Sequence, residues 1–141
     1  MMQAAGVRDN ATAGRRAIVV IDDDPAILET VAAILGDDGY LVVCARNGEE
    51  GLAAVERTRP VLVLLDRWMP VLDGQGFWQA LNDRQMHVPI ITMTAAHDAA
   101  RWAQAVGAVG LLPKPFKLPA SNVHKDSSVF GSRNLSHLML P

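Results

Sequence analysis

The sequence has little that would mark a secreted, disulfide-stabilised or membrane-spanning protein. It contains one cysteine in 141 residues, so no disulfide can form within the chain, and this fits a reducing cytosol. No apolar run approaches the roughly 20 residues that span a bilayer. The N-terminal stretch MMQAAGVRDNATAGRR also lacks the apolar segment of a secretory signal. We therefore expect a cytoplasmic protein that does not insert into membranes.

An excess of charge of one sign is also lacking. Lysine and arginine total 13 and aspartate and glutamate total 15, which gives a formal net charge of −2. Such a balance provides no general attraction to nucleic acid, and we expect no direct nucleic-acid partner. Half of the residues are hydrophobic and a fifth are charged, which is typical of a globular chain with one sizeable core. Cys44 closes an apolar run and is predicted to be a buried structural thiol.

Short apolar runs recur along the chain. They are continuous rather than alternating, which predicts strands that are covered on both faces, as in a parallel sheet. The predicted strands are residues 17–21, 41–45, 61–65, 88–93 and 109–112.

Helical patterns separate these runs. Asp24, followed by Pro25, predicts one helix start, and Asp73 predicts another, so both carboxylates are interpreted as caps rather than ligands. Residues 48–57 and 98–106 also have helical spacing. The side chains expected to face the core are Ile27, Val31, Leu35, Leu52, Val55, Phe77 and Leu81. Alternating strands and helices predict an α/β fold with a mostly parallel sheet.

The two ends of the chain lack this alternation. Residues 1–14 are small and polar and are predicted to be a flexible N-terminal segment. Residues 15–117 are predicted to form the folded domain. Residues 118–141 contain serine and proline but no sustained helical periodicity. A fifth helix is therefore doubtful, and we expect an irregular tail in its place.

Polar residues follow four of the predicted strands. Asp22 and Asp23 follow the first strand, Asp66 ends the third, Thr94 ends the fourth and Lys114 follows the fifth. In an open parallel sheet, these carboxyl ends meet at the edge where ligands bind. Clustered carboxylates suit Mg²⁺, which also neutralises charge on phosphoryl oxygens. The set predicts a site in which a carboxylate accepts a phosphoryl group.

With these residues identified, the chain resembles the receiver domain of two-component response regulators over residues 15–117. The similar segments are VVIDDDPAI, LLDRWMPVLDG, IITMTA and GAVGLLPKPF. The resemblance implies a doubly wound, five-stranded parallel sheet of the flavodoxin-like type. It also implies a phosphoacceptor signalling domain rather than a turnover enzyme.

The resemblance further implies a role for each site residue. Asp66 would be phosphorylated by a sensor histidine kinase or a phosphotransfer protein. Thr94 would bond the phosphoryl oxygen, and Lys114 would pair with the phosphoryl group or with Asp66. The ligands of Mg²⁺ would be Asp22, Asp23, Asp66 and the backbone carbonyl of Trp68. The phosphorylated domain would then contact a downstream protein partner.

Four features depart from the family pattern. Leu111 stands where an aromatic residue is usual, and the segment between Thr94 and Gly107 is about two residues short. Trp68 is bulky, and we hypothesise that its ring shields the phosphoryl group from water beside the small Ala96. Without a last helix, apolar surface of the first and fifth strands would face water unless the tail packs there irregularly or another chain covers it. We therefore expect either self-association, with a homodimer as a candidate, or reduced stability.

Two alternatives remain open. A degenerate receiver would bind partners without phosphorylation. Leu111 and the unusual tail favour it mildly, whereas the presence of the acids, Thr94 and Lys114 argues against it. A haloacid-dehalogenase-type phosphatase would also use an aspartate at a strand end with Mg²⁺. Such enzymes carry a second acid two residues after the nucleophile, where this chain has Trp68. Asp22 and Asp24 have the required spacing, but Pro25 and the short chain leave little room for a substrate pocket.

Overall fold

The computed structural model describes residues 16–94 and 99–114. The strands are β1 Ala17–Ile21, β2 Leu41–Ala45, β3 Leu62–Asp66, β4 Ile90–Thr94 and β5 Gly110–Pro113. The helices are α1 Pro25–Asp37, α2 Gly48–Thr58, α3 Gly74–Asp83 and α4 Ala99–Ala105. All strand pairs are parallel, in the order β2-β1-β3-β4-β5. The predicted α/β architecture, a doubly wound five-stranded parallel sheet, is confirmed.

The strand order places a crevice beside the predicted site. The chain runs from β1 outwards to β2 and then crosses to β3, β4 and β5 on the other side. Strand order therefore reverses between β1 and β3, which is where open α/β sheets bind ligands. Asp22 leaves β1 at this point, and its backbone N–H donates to the carbonyl of Ala45 at 3.0 Å.

Local sequence explains the helix starts. The Asp24 side chain accepts a hydrogen bond from the N–H of Ala26, and Pro25 occupies the first turn of α1, as predicted. The Asp73 side chain accepts from the N–H of Gly76 and caps α3, also as predicted. Asn47 caps α2 in the same way, a role that had not been assigned from the sequence.

Two apolar layers cover the sheet. One face packs against α1, where Val31, Ile34 and Leu35 are fully buried. The other face packs against α2, α3 and α4. Six of the seven predicted core side chains are buried, namely Val31, Leu35, Leu52, Val55, Phe77 and Leu81, and Ile27 is partly buried against the first layer. The continuous apolar runs were therefore interpreted correctly as two-sided burial.

One expectation about burial is wrong. Cys44 is exposed, because β2 is an edge strand and only one side of it pairs with β1. All five residues of β1 are buried, and the expectation that a missing last helix leaves apolar surface to be covered depends on the tail, which lies outside the described residues. On β5, Leu111 and Leu112 are partly buried.

Several predictions concern residues outside the described ranges. They include the flexible segment 1–14, the irregular tail 118–141 with its doubtful fifth helix, and the role of Ala96. Where residues are described, α4 is a short helix of seven residues, and the positive φ of Gly107 follows it. No helix in the described ranges has the length and apolar character needed to cross a bilayer.

Candidate functional site

Four strand ends bring the predicted site residues to one edge of the sheet. Asp66 is the last residue of β3, and Thr94 is the last residue of β4. Asp22 directly follows β1 and Lys114 directly follows β5. The backbone N–H of Lys114 donates to the carbonyl of Thr94 at 3.3 Å, which fixes the end of β5 beside the end of β4.

Three carboxylates form a compact cluster at this edge. One oxygen each from Asp22, Asp23 and Asp66 lies within 4.8 Å of the other two. Asp22 and Asp66 are buried, whereas Asp23 is exposed to solvent. The three acids predicted to bind a metal therefore lie together, with one side of the cluster open.

Lys114 connects two of these acids. Its Nζ lies 2.8 Å from Asp22 Oδ2 and 3.3 Å from Asp66 Oδ1. Burial lowers the pKa of Lys114, but hydrogen bonding and attraction to Asp22 and Asp66 outweigh this, and the net pKa is raised. Lys114 is therefore a fixed cation beside the carboxylate at the end of β3.

Asp66 has a perturbed carboxyl group. Burial and the negative charge of Asp22 raise its pKa to about 6, although Lys114 and the backbone N–H of Arg67 oppose the shift. Asp66 is still mostly ionised at neutral pH and can act as a nucleophile. Its position at the end of a fully buried strand gives that nucleophile a rigid support.

The donor set fits a hard cation. Asp22 Oδ2 is buried and is paired with the Lys114 ammonium at 2.8 Å. Its other oxygen accepts from the N–H of Asp24 at 2.9 Å, which fixes the carboxylate. Carboxylate oxygens with an open, solvent-facing side suit Mg²⁺, which keeps several waters when it binds.

The remaining predicted residues are placed less tightly. Thr94 is buried and lies one position beyond Met93, the cross-strand partner of Asp66. Trp68 follows Asp66 by two residues, and 60% of its surface is exposed. Its carbonyl as a metal ligand, and its ring as a shield for the phosphoryl group, stay predictions.

Sequence reasoning missed a second group of residues beside the site. The Arg67 guanidinium lies against the rings of Trp68 and Trp102, and the indole N–H of Trp102 donates to Gln75 Oε1 at 3.0 Å. Gly74 packs against Trp102 and the carbonyl of Asp66. The departure of Arg67-Trp68 from an otherwise apolar strand end was the only signal in the sequence.

A cavity beside the described helices is separate from the site. It has a volume of about 400 Å³ and lies between α3, the start of β4 and the end of α4. Its lining includes Ile90, the first residue of β4, whereas the carboxylates lie at the far end of the strands. This cavity therefore does not include the carboxylate cluster, whose exposed member is Asp23.

Comparisons with known proteins agree with this geometry. A family model described as the response regulator receiver domain matches residues 18–122. The chain is 39% identical over 103 residues to the positive alginate biosynthesis regulatory protein of Pseudomonas aeruginosa, covering 71% of this chain and 42% of that protein. It is 37% identical over 103 residues to response regulator MprA of Mycobacterium leprae, covering 72% of this chain and 45% of that protein. The chain thus spans less than half the length of the curated relatives it matches.

Solved structures show the same fold. Chemotaxis response regulator CheY4 of Vibrio cholerae matches with a TM-score of 0.69 and 28% identity, covering 88% of this chain and 98% of that chain. The receiver domain of NtrX from Brucella abortus matches with a TM-score of 0.64 and 29% identity, covering 79% of this chain and 94% of that chain.

Proposed function

The chain belongs to the response regulator receiver family of two-component signalling proteins, and on that premise we propose that Asp66 is its phosphoacceptor. The observation that carries the proposal is the position of the Asp66 carboxylate, 3.3 Å from Lys114 Nζ and within 4.8 Å of oxygens of Asp22 and Asp23. Receiver domains are signalling domains rather than turnover enzymes. The expected donor is the phosphohistidine of a sensor histidine kinase or phosphotransfer protein.

The transfer is a displacement at phosphorus. An ionised Asp66 oxygen forms the new O–P bond while the P–N bond to the donor imidazole breaks. The imidazole nitrogen leaves with the bonding electrons, so no oxidant or reductant takes part. Because the transition state needs positioning and charge stabilisation more than covalent help, a rigid carboxylate beside a fixed ammonium suits it.

The neighbouring side chains have distinct roles in this proposal. Mg²⁺ would be held by Asp22, Asp23, Asp66 and the backbone carbonyl of Trp68, and when bound it supplies positive charge to the phosphoryl oxygens. Lys114 would move from its pairing with Asp66 to the phosphoryl group. The Thr94 hydroxyl would donate a hydrogen bond to a phosphoryl oxygen.

We expect the output to be a protein contact. A phosphoryl group adds about −2 charge to the site. This charge is enough to shift the equilibrium between two conformations of a protein-interaction surface. The downstream partner would be a protein rather than nucleic acid or membrane, and the chain would act in the cytoplasm, where response regulators generally reside. A homodimer is a further candidate assembly, testable by sedimentation with and without phosphorylation.

Intact mass measurement tests the proposal. The protein is incubated with Mg²⁺ and acetyl phosphate, and we expect one phosphoryl group per chain. Asp66→Asn should abolish the addition, whereas Asp83→Asn, a matched change at the exposed end of α3, should not. No addition to the unaltered chain would favour the alternative of a phosphorylation-independent binding module. Repeated turnover of small phosphate esters would favour the phosphatase alternative.

A further inference from the structure

Thr92 has a buried hydroxyl group without a hydrogen-bond partner. The residue lies in the middle of β4 and is fully buried, and its Oγ1 makes no hydrogen bond within residues 16–94 and 99–114. A hydroxyl that leaves water without gaining a hydrogen bond costs free energy, whereas an aliphatic group of the same shape would gain free energy on burial. Thr92 is therefore a polar residue at a position that favours an apolar one.

The side chain of Thr92 faces the layer between the sheet and α4. Successive residues of a strand point to opposite faces, so Thr92 shares its face with Ile90. Ile90 belongs to the apolar layer that includes Trp102 of α4. The cross-strand neighbours of Thr92 are Leu65 on β3 and Leu111 on β5, which are both aliphatic. The hydroxyl is thus enclosed by apolar groups beneath α4.

Few buried side chains hold α4 against the sheet. The helix has seven residues, and it is the described helix that packs most extensively against both β4 and β5. Trp102 is its one buried residue, and the indole N–H of Trp102 donates to Gln75 on α3. While α4 lies on the sheet, Thr92 is dehydrated. When α4 lifts, water can bond the hydroxyl, and this hydration lowers the free energy that lifting requires.

We propose that the unpaired hydroxyl of Thr92 is a conformational device that keeps α4 ready to lift from β4 and β5. An aliphatic residue at this position would hold the helix down more firmly. Thr92 lies two residues before Thr94, whose hydroxyl is proposed to bond the phosphoryl group. The link from the site to α4 rests on that proposed function, whereas the effect of Thr92 on α4 does not.

Amide hydrogen exchange followed by mass spectrometry tests this device in the full chain. Thr92→Val replaces the hydroxyl by a methyl group of the same shape. We expect exchange of the α4 amides to slow by about fivefold or more, because opening would no longer hydrate a hydroxyl. Thr92→Ser keeps the hydroxyl and removes the methyl group, so it should not slow exchange in α4.

Thr58→Val is the matched control. The hydroxyl of Thr58 donates to the carbonyl of Ala54 at 2.7 Å near the end of α2, so it already has a partner. This variant should leave exchange in α4 unchanged. If Thr92→Val slows exchange only in the strands, which open by global unfolding, lifting α4 does not uncover Thr92 and the proposal is wrong. Faster exchange in α4, or a less stable Thr92→Val protein, would show that the hydroxyl has a favourable partner and would overturn the proposal equally.

Phosphorylation separates this inference from the proposed function. In Mg²⁺ and acetyl phosphate, exchange in α4 should accelerate in the parent, and phosphorylated Thr92→Val should stay about fivefold or more slower than the phosphorylated parent. A phosphorylated parent with unchanged α4 exchange would refute the link from the site to α4, while the proposed function stands. If intact mass shows no phosphoryl group on the parent, the proposed function is wrong, and exchange in the unmodified proteins still decides the role of Thr92.

Discussion

At the scale of single residues, the surroundings of Asp66 disfavour the ionised form of its carboxyl group. Its folded-state pKa of about 6 lies above the ordinary value of 3.8, mainly because of burial and then because of Asp22. Between these two pH values the folded chain holds more protons than the unfolded chain. The contribution of Asp66 to stability is therefore present below about pH 4 and is lost as the pH rises through 6.

Because the ionised carboxylate of Asp66 is disfavoured in the folded chain, removing its charge by Asp66→Asn should increase stability. At pH 7.5 without Mg²⁺ the neutral amide should raise the free energy of unfolding by about 1 kcal/mol, after allowance for solvent screening of a partly accessible group. The gain should shrink below pH 5 and be absent near pH 3.5. Urea unfolding at several pH values measures it, with Asp83→Asn as the control. A loss of stability at pH 7.5 would contradict the account.

Val71 stores local backbone strain. Its φ is 70°, and the N–H of Leu72 donates to the carbonyl of Pro70 at 2.7 Å around it, which is a three-residue γ-turn. A β-branched residue fits this region poorly, and 71% of Val71 is exposed, so little packing offsets the cost.

Val71→Asn should relieve that strain, because asparagine tolerates positive φ. We expect the free energy of unfolding to rise by about 1 kcal/mol, measured by urea denaturation. Val109→Asn is the matched control, since Val109 is an exposed valine without positive φ, and it should give no such gain. Equal effects of the two substitutions would show that hydrophilicity, rather than backbone strain, sets the result.

At the scale of elements, the start of α3 is fixed by close approach to β3. A Cβ at Gly74 would meet the carbonyl oxygen of Asp66 and Cα of Arg67, which are backbone atoms, as well as the ring of Trp102. Backbone cannot rotate away as a flexible side chain can. Only glycine therefore lets the helix start this close to the site.

Gly74→Ala should destabilise the fold by about 1–3 kcal/mol through overpacking and should slow phosphorylation by displacing Asp66. Gly36→Ala is the contrasting control. Nothing lies within 4 Å of its added methyl near the end of α1, so the helix should gain about 0.5–1 kcal/mol. Thermal unfolding and the rate of mass increase with acetyl phosphate measure both effects. A Gly74→Ala protein as stable as the unaltered chain would refute the close-approach argument.

The elements that sequence predicted best are those with local causes. The caps Asp24 and Asp73 depend on their own next three residues, and both were identified correctly. Strand bounds depend on cross-strand pairing, so the third strand, predicted as 61–65, is Leu62–Asp66. The prediction that Cys44 is buried was wrong for the same reason. Whether a strand lies at the edge depends on the whole sheet and cannot be read from one apolar run.

At the scale of the whole molecule, most of the site was predictable because parallel strands share a direction. Asp22, Asp66 and Lys114 are remote in sequence, yet each comes at the carboxyl end of a strand, and the sheet brings them together. The contact of Arg67 with Trp102 was not predictable. It depends on how α4 packs against α3, which neither periodicity nor strand ends encode.

With the carboxylate cluster proposed as a Mg²⁺ site, we expect the stability of the fold to depend on Mg²⁺. An ion that binds only the folded chain adds about 1.4 kcal/mol to the free energy of unfolding at ten times its dissociation constant. Urea unfolding in EDTA and in saturating Mg²⁺ should show this gain for the unaltered chain.

Asp23→Asn distinguishes a specific site from a general ionic effect. Asp23 is the exposed member of the cluster, so its substitution should leave metal-free stability nearly unchanged while the gain from Mg²⁺ falls to a few tenths of a kcal/mol. Asp37→Asn, at the exposed end of α1, changes the net charge equally and should keep the full gain. If both variants kept it, the ion would be acting on the surface charge as a whole. The three convergent carboxylates would then not form the metal site on which phosphorylation depends.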